Sequence, residues 1–193
     1  MKNNKSRYAI LGALTWGPQS GYDIRKNIET SVGNFWSEGY GQIYPLLKEL
    51  VAEALVTRAV EAQEGKPDRH VYTLTKSGLD QLRQWLQEPA EMQTGRIEIL
   101  LKLFFGRQIA MTYNLEQVRH FQNSQRFLLD KYEVIERELQ ASHPTDPNLP
   151  YWLITLRYGK HITRALLLWA EETSIELDAL TDETHRLIPA QLL

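Results

Sequence analysis

The hydrophobic pattern is clearest in the segment 41–54, which is predicted to form a short amphipathic helix. Four apolar residues recur there at helical spacing and would share one face: Ile43, Leu46, Leu47 and Leu50. Gln42, Tyr44 and Lys48 lie away from that apolar stripe. Pro45 is tolerated because N–H groups in the first turn have no partner within the helix. A helix that buries one side and presents Gln, Tyr and Lys on the other suits the major groove of DNA.

Two further helices are predicted before this segment. The first covers about 6–15 and ends at Trp16-Gly17-Pro18, because Gly and Pro break helices. Ser20 is followed three residues later by Asp23, which is the pattern of a capping box. The second helix therefore begins after Ser20 and runs to about Ser31.

Alternating apolar and polar residues predict two strands, over 56–62 and 69–74, joined by a polar turn. Thr75 can cap a fourth helix over 76–87, which Glu88-Pro89 would stop. The order helix, helix, helix, strand, strand, helix is that of a winged helix-turn-helix. We predict such an α+β DNA-binding domain over residues 1–88, with Gly65-Lys66-Pro67 at the tip of the wing.

The remainder of the chain, 89–193, has the pattern of an all-α domain, so the whole protein is predicted to be mainly α. Helices are expected over 95–109, 115–140 and 151 to about 177, with a Pro-rich break at 143–150. The second of these helices carries a heptad of core positions: Val118, Phe121, Gln125, Leu128, Tyr132, Ile135 and Leu139.

The last helix carries a wider apolar surface than one partner helix would cover. Its large apolar residues are Leu153, Ile154, Leu156, Tyr158, Ile162, Leu166 and Trp169. We interpret 89–193 as a dimerisation domain in which a second copy covers part of this surface. A two-fold dimer would also double the DNA contacts on a palindrome. The alternative is a monomeric helical bundle in which the first domain covers it.

Composition limits where the protein works and what it does. The sequence contains no cysteine, which excludes disulfides and thiolate metal sites. It shows neither an apolar run of membrane-spanning length nor a signal peptide, so we expect a cytoplasmic protein without a membrane partner. The formal net charge is −2, and residues 1–88 are almost neutral. A weakly charged winged helix keeps open a second hypothesis, a protein–protein interaction module that does not bind DNA.

Candidate DNA contacts fall in three places. Gln42 suits a base edge, whereas Tyr44 and Lys48 suit phosphates, although all three could be simply solvated or packed. Lys66 and Arg69 flank the wing tip and could reach a minor groove or a phosphate, with Glu64 and Asp68 weakening the patch. Ser20 and Tyr22 open a helix whose free N–H groups could hold a phosphate, with simple capping as an equal alternative.

Enzymatic and metal chemistry have little support in the sequence. It contains no glycine-rich phosphate loop, no nucleophile elbow and no HExxH motif. The five histidines show no metal-ligand spacing. We therefore expect no catalytic residues, no metal and no cofactor.

Four segments carry the signature of a known family: Tyr8-Ala9-Ile10-Leu11-Gly12-Ala13-Leu14, Ser20-Gly21-Tyr22-Asp23-Ile24, Gln42-Ile43-Tyr44-Pro45-Leu46-Leu47-Lys48-Glu49-Leu50 and Tyr72-Thr73-Leu74-Thr75-Lys76-Ser77-Gly78. In these segments the chain resembles the PadR family of bacterial transcription regulators. Phe35-Trp36 and Leu101-Lys102-Leu103-Phe104-Phe105-Gly106 resemble its AphA-like branch, which has a long C-terminal helical domain. Pro45 matches the commoner PadR pattern, which leaves the subfamily open.

The resemblance implies a homodimer with interlocked C-terminal helices that regulates transcription from double-stranded DNA, as a repressor or, in some relatives, an activator. Several relatives release DNA when a small aromatic or drug-like effector binds. By this analogy Trp152 and Trp169 are candidates to stack on an effector. The alternative for both is packing in the helical core or the dimer.

Overall fold

The computed structural model describes residues 5–33, 35–36, 42–61, 69–91 and 95–186, with side chains up to residue 180. The chain divides into two compact units, Met1–Met92 and Gln93–Leu193. This division lies close to the predicted domain boundary after residue 88. Among the described residues, no helix is both long enough and apolar enough to span a membrane.

The described residues of the first unit form four helices and three short strands. Its helices are α1 (Ser6–Ala13), α2 (Gly21–Ser31), α3 (Ile43–Ala52) and α4 (Lys76–Leu86), and a single 3-10 turn over Leu14–Trp16 extends α1. Its strands are β1 (Gln19–Ser20), β2 (Val56–Glu61) and β3 (Arg69–Leu74). The predicted order of elements is confirmed. The two-residue strand β1 was not predicted, because its strand character comes from pairing with distant β3 rather than from its own sequence.

The three strands form one antiparallel sheet in the order β1-β3-β2. In β1, Ser20 pairs with Val71 of β3, and this is the last residue before α2 begins. On the other side of β3, Glu61 of β2 pairs with Arg69. Strand β3 therefore extends past the end of β1, and its first residues lie near the start of α2.

One apolar core holds the first unit together. All four apolar residues predicted for α3 are buried in it, with Leu47 fully inaccessible. They pack with buried residues of α1 and α2, such as Leu11 and Ile24. Burying one side of α3 leaves its opposite side on the surface.

Local caps set the ends of the helices in this unit. The Ser20 side chain accepts from the Asp23 N–H, and the Thr75 side chain accepts from the Gly78 N–H, as predicted for both. Helix α3 ends in a Schellman motif, in which the Leu55 N–H donates to the Leu50 carbonyl and the chain turns at Ala54 with φ 58°. This turn directs the chain from α3 into β2.

The second unit is helical, as predicted, but its boundaries differ. It contains α5 (Glu98–Phe104), a 3-10 turn over Gly106–Gln108, α6 (Met111–Ser142) and α7 (Leu149–Arg186). The prediction of one helix over 95–109 is wrong, because α5 stops at Phe104. The buried Asn114 side chain donates to the Gly106 carbonyl over 2.9 Å and stabilises the turn there. Helix α7 also continues past its predicted end near residue 177.

Helices α6 and α7 pack against each other as a hairpin. The heptad residues predicted for α6 are all buried or half-buried. Tyr132 packs there with Leu153 and Leu156 of α7. A Cβ added to Gly159 would lie 2.8 Å from Tyr132 Cζ, so the backbone of α7 comes close to that ring. Burial raises the pKa of the Tyr132 hydroxyl.

A cluster of charges joins the two helices beside this contact. Glu136 of α6 accepts from Lys160 Nζ at 2.5 Å and from Arg157 Nε at 3.4 Å. The Lys160 hydrogen bond is the main reason that the pKa of Glu136 lies below its ordinary value of 4.5. The ion pair therefore persists at neutral pH.

Candidate nucleic-acid interface

The exposed side of α3 carries the residues predicted to read DNA. Tyr44 is 55% exposed, and Lys48, one turn further on, is exposed beside it. Gln42 occupies the N-cap position, is exposed, and does not use its side chain to cap the helix. The three side chains are therefore exposed and available to a ligand.

Tyr44 is placed by the start of α2. A Cβ added to Gly21 would lie 2.7 Å from Tyr44 Cε1, so the ring packs against the bare backbone of that glycine. Any larger residue at position 21 would push the ring aside. The contact places the Tyr44 ring beside the first turn of α2, and this could not be seen in the sequence.

The charge of this surface is modest. Lys48 forms no ion pair with any described residue, but Glu49 is exposed next to it on α3. Lys26 of α2 and Arg58 of β2 are also exposed and lack an ion-pair partner within the described part of the chain. Neither cation was singled out from the sequence, because isolated charges carry no motif. Their exposure emerges only from the fold.

The first turn of α2 combines capping with exposed aromatic surface. Ser20 is buried, and its hydroxyl both accepts from the Asp23 N–H at 3.2 Å and donates to Asp23 Oδ2 at 2.7 Å. The geometry thus gives Ser20 the capping role that was the alternative to a phosphate contact. Tyr22 is exposed, with the Arg25 guanidinium 6.0 Å from the centre of its ring.

Arg69 lies at the start of β3, and its guanidinium is paired with Asp23 Oδ2 in the first turn of α2. The side chains are 41% and 37% exposed, respectively. The pKa of Asp23 is lowered, first by the hydrogen bond from the Ser20 hydroxyl and further by Arg69. The predicted wing contact therefore already has an anionic partner within the protein. Lys66, the other predicted wing residue, lies outside the described residues.

The two tryptophans suggested for an effector lie in α7 and pack within the second unit. Trp152 is half-buried, with its ring edge-on to His143 at 5.6 Å. Trp169 is half-buried against Phe121 of α6 at 5.5 Å. They are 17 residues apart on one helix, a distance of about 25 Å. One small molecule could not contact both in the same chain.

Three acid or histidine side chains arranged to hold a metal ion are not found among the described residues. The structure instead brings four of the candidate residues together around the first turn of α2: Ser20, Tyr22, Tyr44 and Arg69. Tyr44 packs against it and Arg69 pairs with it. Helix α3, through Tyr44, and strand β3, through Arg69, thus both contact the first turn of α2.

Two family profiles match different parts of this chain. Residues 10–84 match the profile described as "Transcriptional regulator PadR-like family". Residues 96–178 match the profile described as "Virulence activator alpha C-term". The "Negative transcriptional regulator PadR" of Bacillus subtilis (strain 168) is 34% identical over 154 residues, which cover 77% of this chain and 84% of that protein.

Three solved structures have a similar fold along most of this chain. The crystal structure of Bacillus subtilis PadR in complex with operator DNA matches with a TM-score of 0.79 and 28% identity, covering 89% of this chain and 98% of that one. The same protein in complex with p-coumaric acid matches with a TM-score of 0.72, 28% identity and the same coverage. The Vibrio cholerae virulence activator AphA matches with a TM-score of 0.70 and 28% identity, covering 90% and 98%.

Proposed function

Because this chain belongs to the PadR-like family of transcriptional regulators, we propose that it represses transcription by binding operator DNA as a homodimer in the cytoplasm. The observation that carries this proposal is the two-sided character of α3. Its apolar side is buried in the core, while Tyr44 and Lys48 stand exposed on the other side. The relative with an operator complex has the same fold over most of its length.

Helix α3 enters the major groove in this proposal. Gln42 is the candidate for a base edge, since a Gln side chain can pair with adenine N6 and N7. Tyr44 and Lys48 bind phosphates, which set affinity and salt dependence rather than sequence choice. The exposed Lys26 and Arg58 add positive charge to the same unit, and we propose that Lys66 contacts the flanking DNA backbone from the wing. Tyr22, exposed in the first turn of α2, is a further candidate for a phosphate contact.

The homodimer is supported by apolar surface that the hairpin leaves uncovered. Leu153 and Leu156 of α7 are buried against α6, but other large apolar side chains of α7 are exposed: Ile154, Tyr158, Ile162, Leu168 and Ile175. Such a long apolar strip is unusual for a monomer. A second copy on this strip gives a two-fold molecule, and the operator is correspondingly a palindrome.

Release by an effector is the third part of the proposal. The Bacillus subtilis relative has been crystallised with p-coumaric acid. We infer that a small aromatic compound acts on this protein, with Trp152 and Trp169 as separate candidates for stacking. Thermal shift against a panel of aromatic acids and drug-like compounds tests this part, since a bound compound raises the melting temperature. A compound that binds should also lower the affinity for operator DNA.

Selection of bound duplexes from genomic DNA, followed by fluorescence anisotropy, tests DNA binding directly. We expect one sequence class, including the region upstream of the protein's own gene, to bind at least about 10³-fold more tightly than a scrambled duplex. The affinity should fall steeply with salt. Equal binding to all duplexes would contradict the proposed sequence-specific binding. No binding to any duplex would favour a winged helix that contacts proteins.

A further inference from the structure

The ion pair between Asp23 and Arg69 joins elements that are distant in the sequence. Asp23 lies in the first turn of α2, and Arg69 is the first residue of β3, 46 positions later. Strand β1 pairs with β3 only at Gln19–Tyr72 and Ser20–Val71. Beyond Val71 towards the wing, β3 has lost its β1 neighbour. In this part of β3, the ion pair connects the strand to helix α2.

The same geometry argues against Arg69 as a simple phosphate ligand. Its guanidinium is already bound to a carboxylate, and the Ser20 hydroxyl and N-terminal end of α2 keep that carboxylate in its charged form. For Arg69 to reach a phosphate, it would have to leave Asp23 as an unpaired negative charge near the DNA. That exchange gains little, since one anion replaces another.

We propose that Asp23 and Arg69 are positioning residues, whose pairing fixes the root of the wing against α2 so that wing and recognition helix meet DNA together. The proposal rests on the DNA-binding function proposed above. Tyr44 of α3 packs on Gly21, in the same turn as Asp23. The first turn of α2 therefore contacts both α3, through Tyr44, and β3, through Arg69.

The variant Asp23→Asn separates this proposal from a phosphate contact by the sign of its effect. Removing a negative charge near DNA should strengthen binding or leave it unchanged if Arg69 binds a phosphate, because Arg69 is then released. If the pair positions the wing, the same change weakens operator binding. We expect a loss of about two- to fivefold, the range that a half-exposed ion pair accounts for.

The variant Arg69→Gln gives a second, independent readout. A positioning residue leaves the dependence of affinity on salt unchanged, whereas loss of one phosphate contact lowers the slope of log K against log salt by about 0.9. The double variant Asp23→Asn/Arg69→Gln should bind no more weakly than either single variant, because all three lack the same contact. A flatter slope, or additive losses, would overturn the proposal.

The control is Asp80→Asn on α4, where Asp80 pairs with Arg83 at 3.7 Å. It removes the same charge from the same domain and should not weaken DNA binding. Hydrogen exchange without DNA decides the structural half: Asp23→Asn should speed exchange at Arg69 and Val71 while leaving Leu74 unchanged. Unchanged exchange at Arg69 and Val71 would overturn the positioning role of the ion pair. Failure of the wild type to bind DNA would instead overturn only the proposed DNA-binding function.

Discussion

Lys48 stands exposed on α3, one turn beyond Tyr44, and has no ion-pair partner among the described residues. The variant Lys48→Ala should weaken binding to operator and scrambled duplexes by a similar factor, because a phosphate contact does not depend on sequence. The salt slope should fall by about 0.9. Anisotropy titrations at several salt concentrations measure both quantities. A loss confined to one base position would contradict the phosphate assignment.

Gly21 offers a way to move Tyr44 without removing it. In Gly21→Ala, the new Cβ would lie 2.7 Å from Tyr44 Cε1, so the exposed ring should swing away while the core stays intact. We expect operator affinity to fall about fivefold, as for one lost hydrogen bond.

The matched control for this prediction is the same substitution in a Tyr44→Ala background. There, Gly21→Ala should have no further effect on affinity, because the ring that it displaces is absent. An equal loss in both backgrounds would show that Gly21 acts independently of Tyr44.

At the scale of single residues, the sequence predicted those interactions that join residues close together in the chain. The Ser20 and Thr75 caps were predicted because each bonds to a residue three positions away. The pairing of Asp23 with Arg69 and the packing of Tyr44 on Gly21 were not, because each depends on how separate elements meet. Sequence therefore indicated which residues face outward, and the fold showed which of them already have partners.

At the scale of elements, the hairpin of α6 and α7 depends on a close approach at Gly159. The variant Gly159→Ala would place a Cβ 2.8 Å from Tyr132 Cζ, and that ring is buried and has little room to move. We expect the free energy of unfolding to fall by about 1 kcal/mol, because overpacking outweighs the better helix propensity of Ala. Thermal or urea unfolding monitored by circular dichroism measures the change.

Gly12 in α1 provides the control for this substitution, since a Cβ there would meet no described atom within 4 Å. Gly12→Ala should therefore stabilise the protein by about 0.5–1 kcal/mol through helix propensity alone. If both variants were stabilising, the contact between Gly159 and Tyr132 would not be tight.

The charge cluster on the same hairpin predicts a dependence on pH. Glu136 and Lys160 are only 18% and 13% exposed, and the pKa of Glu136 is lowered by its hydrogen bond to Lys160. The contribution of the Glu136 ion pair to the free energy of unfolding is complete when the pH lies above 4.5, the ordinary pKa of the carboxyl. It is lost as the pH falls through the lower pKa of Glu136 in the folded protein. At pH 7, Glu136→Gln should cost about 1–2 kcal/mol of unfolding free energy.

Urea unfolding across a pH series measures this difference between wild type and variant. It should shrink towards zero as pH falls well below 4.5. The exposed Glu138 lacks an ion-pair partner among the described residues, so Glu138→Gln should change stability little at any pH. A constant difference for Glu136→Gln would exclude the ion pair as its cause.

The buried face of α6 was predicted because helical periodicity is a local property repeated over many residues. The end of α5 was not, since the apolar spacing continues through Phe105 while the backbone turns at Gly106. A hydrogen bond from Asn114, eight residues away, stabilises that turn. Periodicity thus predicts which face is buried better than it predicts where a short helix ends.

At the scale of the whole molecule, the proposed dimer makes operator binding depend on residues that never touch DNA. Ile154→Lys combined with Ile162→Lys places charges in the exposed apolar strip of α7. We expect a monomer by light scattering and a loss of operator affinity of at least about tenfold, because one recognition helix then reads one half-site.

The control is Gln140→Lys, which adds the same charge at an exposed polar position on α6. It should leave both mass and affinity unchanged. A dimer that persisted in Ile154→Lys/Ile162→Lys would place the interface outside this apolar strip.

The meeting of Tyr132 with Gly159 also limits how the hairpin can move. A slide of one turn, about 5.4 Å, would bring Thr155 or Thr163 under the ring in place of the glycine. Their side chains need space that the ring already fills. The contact between Tyr132 and Gly159 therefore opposes any shift of α7 along α6 by one turn. A conformational change that involves this hairpin would therefore move α6 and α7 together as a unit.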